Sequence, residues 1–376
     1  MSRINVMKPW LGAAEIEAVA GVIESGWVAQ GPRVAEFESA FAARMQAEHA
    51  VATTSCTTAL HLALVVAGVS RGDEVVVPSL SFIATANVVR YVGATPVFAD
   101  VDPMTGNVTA DTVKTVLTDR TTAVIVVDQG GVPIDLDAVR ALCDPLGIVV
   151  VEDAACGAGS TYRDRPVGVG APIAAWSFHP RKLLTTGEGG MLTTSEAEWA
   201  DRARRLREHA MSVSAADRHR SVLPPAEVYD EVGFNYRMTD LQAAVGIVQL
   251  GRLDEIVARR RELADRYRAA LHGAPGLRCV EDPEFGTSNV QTFWVEVTPE
   301  HPLGRDGVLA TLAGAEISAR RGIMAAHRQP AYAGVEHAPL PVTDRLTDQT
   351  LILPLYHEMT PGDQDRVIAA LRDTGR

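Results

Sequence analysis

Short apolar runs alternate with stretches of helical spacing through the first two thirds of the chain. Val75–Val77, Pro96–Ala99, Ala123–Val127 and Ile148–Val151 stop at Pro78, at Asp100, at Asp128 and at the pair Glu152 and Asp153. Runs this short and this apolar, bounded by polar or turn residues, predict parallel strands buried on both faces. Between them Ile83 to Val92 and Leu136 to Leu146 repeat apolar residues at helical intervals. The alternation predicts an α/β domain with helices on both faces of a mostly parallel sheet. Ligands of such sheets sit beyond the carboxyl ends of the strands, where Asp100, Asp128 and Asp153 fall.

Val51 to Val69 carries no charged residue and has the length of a membrane span. Its first half is filled with hydroxyls (Thr53, Thr54, Ser55, Thr57, Thr58), which predicts a capped helix buried in a globular core. From Asp240 to Leu271 the spacing predicts one long helix with a bend or joint at Gly251. Arg259, Arg260, Arg261, Glu262, Asp265, Arg266 and Arg268 form its solvated face. After Gly276 the pattern becomes α+β, with strands at Thr292 to Val297 and Leu351 to Pro354 and helices at Gly307 to Ala315 and Pro361 to Leu371. The expected division is a large domain over residues 1–250 and a smaller one over residues 251–376.

Composition narrows the partners. The chain has 376 residues, 47% of them hydrophobic, and a net charge of −12, a balance that argues against nucleic acid or an anionic membrane. The four cysteines show no paired spacing and no metal site is expected, so reduced thiols and a cytoplasmic location follow. Met1 to Gly12 lacks the apolar core of a signal peptide. Lysine is scarce: of 35 basic residues only Lys8, Lys114 and Lys182 are lysines, so lysine chemistry has three candidates.

Three segments carry chemistry. Trp176 to Thr194 (W-S-F-H-P-R-K-L-L-T-T-G-E-G-G-M-L-T-T) sets Lys182 in a polar, Gly-rich loop between two strand-like pieces, a setting for a Schiff-base lysine or for a surface hairpin. Val149 to Ser160 places Asp153 after a buried strand. There it can pair with a protonated ring nitrogen or cap a helix starting at Ala154. Ser55 to Leu64 (S-C-T-T-A-L-H-L-A-L) opens a helix whose free N–H groups suit an anion or a plain N-cap. Taken together, in this order, the three describe pyridoxal phosphate: phosphate cradle, pyridinium partner, Schiff-base lysine.

These segments, with S-G-W-V-A-Q-G-P-R-V-A-E-F-E (Ser25 to Glu38), P-S-L-S-F-I-A-T-A-N (Pro78 to Asn87), Y-V-G-A-T-P-V-F-A-D-V-D (Tyr91 to Asp102), G-F-N-Y-R-M-T-D-L-Q-A-A (Gly233 to Ala244) and L-P-L-Y (Leu353 to Tyr356), resemble the DegT/StrS sugar aminotransferases over nearly the whole chain. The resemblance implies the fold type I of aspartate aminotransferase, pyridoxal 5'-phosphate as cofactor with pyridoxamine 5'-phosphate as its aminated form, and a homodimer. It implies Lys182 as the catalytic residue, Asp153 on the pyridinium nitrogen and Phe82 stacked on the ring. Cys56, Thr57, Thr58 and Ser177 would cradle the phosphate, and Asn235 would reach it from the neighbouring subunit. Cys156 stands where Gln commonly meets the ring hydroxyl. Arg320, His327, Trp27 and Arg237 match substrate positions. The implied reaction moves an amine from an amino acid, glutamate, to a nucleotide-linked keto sugar, with G-E-G-G favouring a 4-keto-6-deoxy sugar. A keto-inositol aminotransferase and a non-catalytic regulatory protein on the same scaffold are the alternatives.

The departures from the family pattern are Cys56 for Gly, Cys156 for Gln, Asp128–Gln129 for His-Leu and Ala210 for Gly. The stretch Met211 to Tyr229 reads as a surface insert.

Overall fold

A computed structural model describes residues 3–213 and 226–374. Most of the stretch Met211 to Tyr229, residues 214–225, lies outside the described residues. The four predicted strands are present as β2 (Glu74–Pro78), β3 (Thr95–Ala99), β4 (Thr121–Val127) and β5 (Val149–Asp153), whereas the start of the uncharged stretch Val51 to Val69, read as helix, belongs to a further strand, β1 (His49–Thr53). Two short strands, β6 (Thr161–Tyr162) and β7 (Arg165–Pro166), precede β8 (Ile173–Ser177) and β9 (Gly190–Thr194). The central sheet runs β1-β9-β8-β5-β4-β2-β3. Strands β8, β5, β4, β2 and β3 are mutually parallel, and β9 is antiparallel to both its neighbours. Parallel pairing needs crossover helices, which bury both faces and explain why these strands read as unbroken apolar runs.

Four helices set the site: α1 (Ala13–Ser25), α2 (Pro32–Met45), α3 (Cys56–Val66) and α4 (Ala84–Tyr91). Helix α3 is almost wholly buried beneath the sheet edge, as its uncharged sequence predicts, and no helix among the described residues is long and apolar enough to cross a membrane. The start of α2 is held from afar. The buried Asp240 carboxylate accepts from the N–H groups of Gly31 (2.8 Å), Arg33 (3.1 Å) and Val34 (3.0 Å), which the helix itself leaves unpaired.

The stretch predicted as one helix from Asp240 to Leu271 is two, Asp240–Gly251 and Leu253–Leu271, with Arg252 at the joint. Gly251 supplies the break, as its position suggested. One expectation for the Arg-rich face fails. Arg260 is only 3% exposed, and its guanidinium donates to the carbonyls of Val290 (2.9 Å), Leu355 (2.9 Å) and Gln291 (2.8 Å). Charge pattern alone did not separate a solvated arginine from one that ties loop carbonyls together.

The C-terminal region forms a second, antiparallel sheet from β10 (Leu277–Cys279), β12 (Trp294–Val297), β13 (Arg320–Arg321) and β14 (Thr350–Ile352), ordered β10-β12-β14-β13; β11 (Gly286–Thr287) joins β6 and β7 in a third. The N-terminal segment reaches this region, with Ile4 bridging Ile317 and the Val6 carbonyl accepting from Leu355 N–H at 3.2 Å. Asp100, at the end of β3, caps the helix Pro341–Gln349 through Val342 N–H (3.0 Å) and Thr343 N–H (2.8 Å).

Gly190 decides how closely α3 approaches the sheet. A methyl there would stand 2.3 Å from the Ser55 carbonyl carbon and 2.5 Å from the Cys56 nitrogen, both backbone atoms. Gly190→Ala is expected to cost about 1–3 kcal/mol in a urea melt, the range for overpacking. Gly21→Ala, on the open side of α1 with nothing within 4 Å, is expected to be neutral or to stabilise by about 0.5–1 kcal/mol. Equal effects would show that the close approach is unimportant.

Candidate active site

The loop between β8 and β9 is pinned at both ends. Phe178 N–H donates to the Gly189 carbonyl (2.9 Å), Thr186 N–H to the Phe178 carbonyl (3.0 Å) and Lys182 N–H to the His179 carbonyl (2.8 Å). That brings the Lys182 ammonium back toward β5, where Nζ donates to Cys156 Sγ at 3.0 Å. Asp153 ends β5 and caps no helix, because Ala154 to Gly159 form turns. Its Oδ2 accepts from Thr85 Oγ1 (2.9 Å), and its Oδ1 accepts from Ala155 N–H (3.2 Å) and lies 3.9 Å from Cys56 Sγ. Five side chains from four segments thus meet at the carboxyl end of the central strand β5.

Their charges are interdependent. Burial pushes Asp153 above the usual carboxylate range, while Thr85, Lys182 and Ala155 N–H hold it back. Burial pulls Lys182 down, but Cys156, Cys56 and Asp153 outweigh it and hold the ammonium above its ordinary value. Burial also drives the Cys56 thiol well up.

The residues fit the expected cofactor. Ser55 and Thr58 close a capping box at α3, with Thr58 N–H on Ser55 Oγ at 3.2 Å and Ser55 N–H on Thr58 Oγ1 at 3.1 Å. The box leaves the N–H groups of Cys56 and Thr57, and the Thr57 hydroxyl, without a partner among the described residues. Such a helix start suits a phosphate. The Thr58 hydroxyl is spent within the cap, donating to the Ser55 carbonyl at 2.8 Å. Ser177 ends β8 and meets only His179 N–H, at 3.5 Å. Phe82 is 64% exposed one turn before Thr85, an apolar ring awaiting a flat partner. Asn235 is exposed on a ribbon in which Phe234 N–H donates to the Leu206 carbonyl (2.7 Å) and Tyr236 N–H to the Arg207 carbonyl (2.9 Å). The Tyr236 carbonyl in turn accepts from Thr54 N–H at 3.0 Å, just ahead of α3.

The four substrate candidates are more dispersed. Arg237 is half-buried beside that ribbon. Trp27 lies against Gly31 with its indole N–H on the Gln30 carbonyl at 3.0 Å. Arg320 is exposed on β13. His327 is partly buried, with Nδ1 hydrogen-bonded to Ser79 Oγ (2.7 Å) and Nε2 3.2 Å from Asp344 Oδ1. Sequence reasoning missed Thr85, whose spacing of three from Phe82 at a helix start was the available signal. It also missed Asn289 and Gln291. Asn289 Nδ2 donates to the carbonyls of Cys156 (2.7 Å) and Ala158 (2.8 Å), and Gln291 Nε2 to that of Arg181 (2.6 Å). No local pattern marks them.

Asp128 and Gln129 point into the protein. Gln129 Nε2 donates to the Leu80 carbonyl. Asp128 Oδ1 accepts from Ile134 N–H at 3.0 Å, while its Oδ2 and Glu152 Oε2 have no hydrogen-bond partner among the described residues. Burial pushes Asp128 up to about 8, and burial plus the nearness of Asp128 raises Glu152 well above its usual range.

The family model for the DegT/DnrJ/EryC1/StrS aminotransferases matches residues 9–372. The spore coat polysaccharide biosynthesis protein SpsC of Bacillus subtilis is 40% identical over 370 residues, covering 97% of this chain and 95% of that protein. The aminotransferase TlmJ of Streptoalloteichus hindustanus superposes with a TM-score of 0.91 at 38% identity, over 99% of this chain and 98% of the other. DesI, solved in the presence of its TDP-sugar product, gives 0.91 at 32% identity over 100% and 94%.

A carboxyl raised on folding takes up a proton that the unfolded chain lacks above its own ordinary value near 4. The resulting penalty is absent below that value, grows as pH rises and levels off above about 8. Asp128→Asn keeps an oxygen for Ile134 N–H and needs no proton. Its stability relative to the parent in urea melts is therefore expected to rise from pH 4.5 to pH 8. A pH-independent difference would refute this proton accounting.

Proposed function

Because the chain belongs to the DegT/DnrJ/EryC1/StrS aminotransferase family and is a pyridoxal phosphate-dependent transaminase, we propose that it transfers the amino group of L-glutamate to a nucleotide-linked 4-keto-6-deoxy sugar in amino-sugar biosynthesis. The observation that carries this reading is the meeting of Lys182, Asp153 and the open start of α3 at the carboxyl end of β5. Two relatives support the sugar: one is named for spore coat polysaccharide biosynthesis, and the other was solved with a TDP-sugar product.

When bound, pyridoxal phosphate supplies an electron sink for the bonds around an amine-bearing carbon. The N–H groups of Cys56 and Thr57, with the Thr57 and Ser177 hydroxyls, hold the phosphate, and the Ser55–Thr58 box keeps that helix start in shape. Asp153 places negative charge at the ring nitrogen, Phe82 covers the ring face, and Cys156 lies beside the lysine in place of an amide. Lys182 Nζ takes a proton from the substrate carbon and delivers it on the far side of the transfer, a task arginine cannot perform. Arg237, Arg320 and Trp27 serve the donor carboxylate and the sugar nucleotide, guanidinium groups being suited to bidentate anion binding.

In this reading the active form is a cytoplasmic homodimer in which Asn235 reaches the partner's phosphate. The free state of all four cysteines supports a reducing compartment. Residues 1–250 form the cofactor domain and residues 251–376 the smaller domain, with Ile4 reaching across to the latter.

The purified protein is expected to show a visible absorbance that Lys182→Ala abolishes with the fold retained. Transamination is expected to fall by at least about 10²–10⁴-fold, the worth of a positioned acid–base group. Turnover with glutamate is expected for a nucleotide-linked 4-keto-6-deoxy sugar and not for free keto-inositol. Normal transamination by Lys182→Ala would sink the mechanism, and preference for keto-inositol would replace the substrate.

A further inference from the structure

The segment from Ala325 to Tyr332, which belongs to the smaller domain, grips the element that carries Phe82 and Thr85. The grip has two points. At the first, Ala326 N–H donates to the Ser79 carbonyl (2.7 Å), Leu80 bridges Ala325, and His327 N–H donates to Ser79 Oγ (3.2 Å). The same hydroxyl lies 2.7 Å from His327 Nδ1. Ser79 Oγ thus accepts from the His327 N–H and shares a second hydrogen bond with Nδ1. The other ring nitrogen, Nε2, lies 3.2 Å from Asp344 Oδ1. At the second point, the Tyr332 phenol donates to Asn87 Oδ1 at 2.6 Å, its ring set edge-on against Phe98 at 5.6 Å.

Between Ser79 and Asn87 lie the two side chains that face the ring site. Phe82 stands exposed, and Thr85 Oγ1 meets Ser81 Oγ (2.9 Å) and donates to Asp153 Oδ2 (2.9 Å). From the other side Gln129 holds the Leu80 carbonyl. We propose that His327 and Tyr332 form a two-point clasp on residues 79–87, and act as positioning residues that fix Phe82 and Thr85 against the bound cofactor. The clasp rests on the placement of Phe82 over the ring given above. It departs from the substrate position expected for His327, whose Nδ1 is occupied by the Ser79 hydroxyl.

The test uses the holoenzyme and four variants: His327→Leu, which fills the space without a polar atom; His327→Asn, which keeps an acceptor near the position of Nδ1; Tyr332→Phe; and Phe82→Ala as the site control. The readouts are the rate of cofactor release during gel filtration, the circular dichroism of the visible band, and hydrogen exchange of residues 79–87 in the cofactor-free chain. His327→Leu and Tyr332→Phe are each expected to release cofactor about tenfold faster, the scale of one lost buried hydrogen bond. They should also weaken the visible band and raise exchange across 79–87, and His327→Asn should restore much of each. Phe82→Ala is expected to affect release and the band and to leave exchange unchanged. Unchanged exchange in His327→Leu and Tyr332→Phe would overturn the clasp. So would unchanged release in His327→Leu with a raised KM for sugar or donor, which would return His327 to the substrate site. Unchanged release in Phe82→Ala would instead overturn the placement of Phe82, and with it the link from clasp to cofactor.

Discussion

A carboxylate taken out of water at the end of β5 is the constraint around which this site is built. Leaving Asp153 uncompensated would cost several kcal/mol, and each compensating group comes from a different segment. Thr85 arrives on α4, Ala155 N–H on the turn after β5, and Lys182 on the loop between β8 and β9. Satisfying one charge therefore fixes the relative places of three segments. The close packing of α3 on Gly190 then sets a helix start beside them. The start of α3, the Asp153 carboxylate and Lys182 are kept in register because they share one electrostatic problem.

Much of this was legible in the sequence. The Val-rich runs gave the parallel strands within a residue or two, because burial on both faces leaves no room for polar alternation. Lys182 stood out because lysine is scarce, and Asp153 because strand ends in such sheets face ligands. The helix joint after Gly251 was signalled by the glycine, although a continuous apolar spacing hid its extent. What could not be read were contacts between segments far apart in the chain. Asn289 and Gln291 act through amide hydrogen bonds to backbone carbonyls far away in the chain, and no local spacing encodes such a bond. The burial of Arg260 belongs to the same class, since its acceptors are main-chain carbonyls that look alike in any sequence.

The C-terminal residues do more than cover the site. Asn289 and Gln291 hold the backbones of the Cys156 turn and the Lys182 loop, and His327 and Tyr332 hold the element bearing Phe82. Asp100 returns the connection by capping the helix that supplies Asp344. The central sheet supplies the chemically distinctive groups, and the C-terminal residues set the geometry of the loops that carry them.

Arg260 shows a different way to join parts of a chain. All three of its strong acceptors are carbonyls of Val290, Gln291 and Leu355, and a peptide carbonyl survives nearly any side-chain replacement. A joint of this kind by itself asks nothing of the side chains at Val290 and Leu355, whereas it needs the full guanidinium of Arg260. The chain can thus drift in sequence around the smaller sheet while that one guanidinium keeps its loops at a constant distance from the long helix.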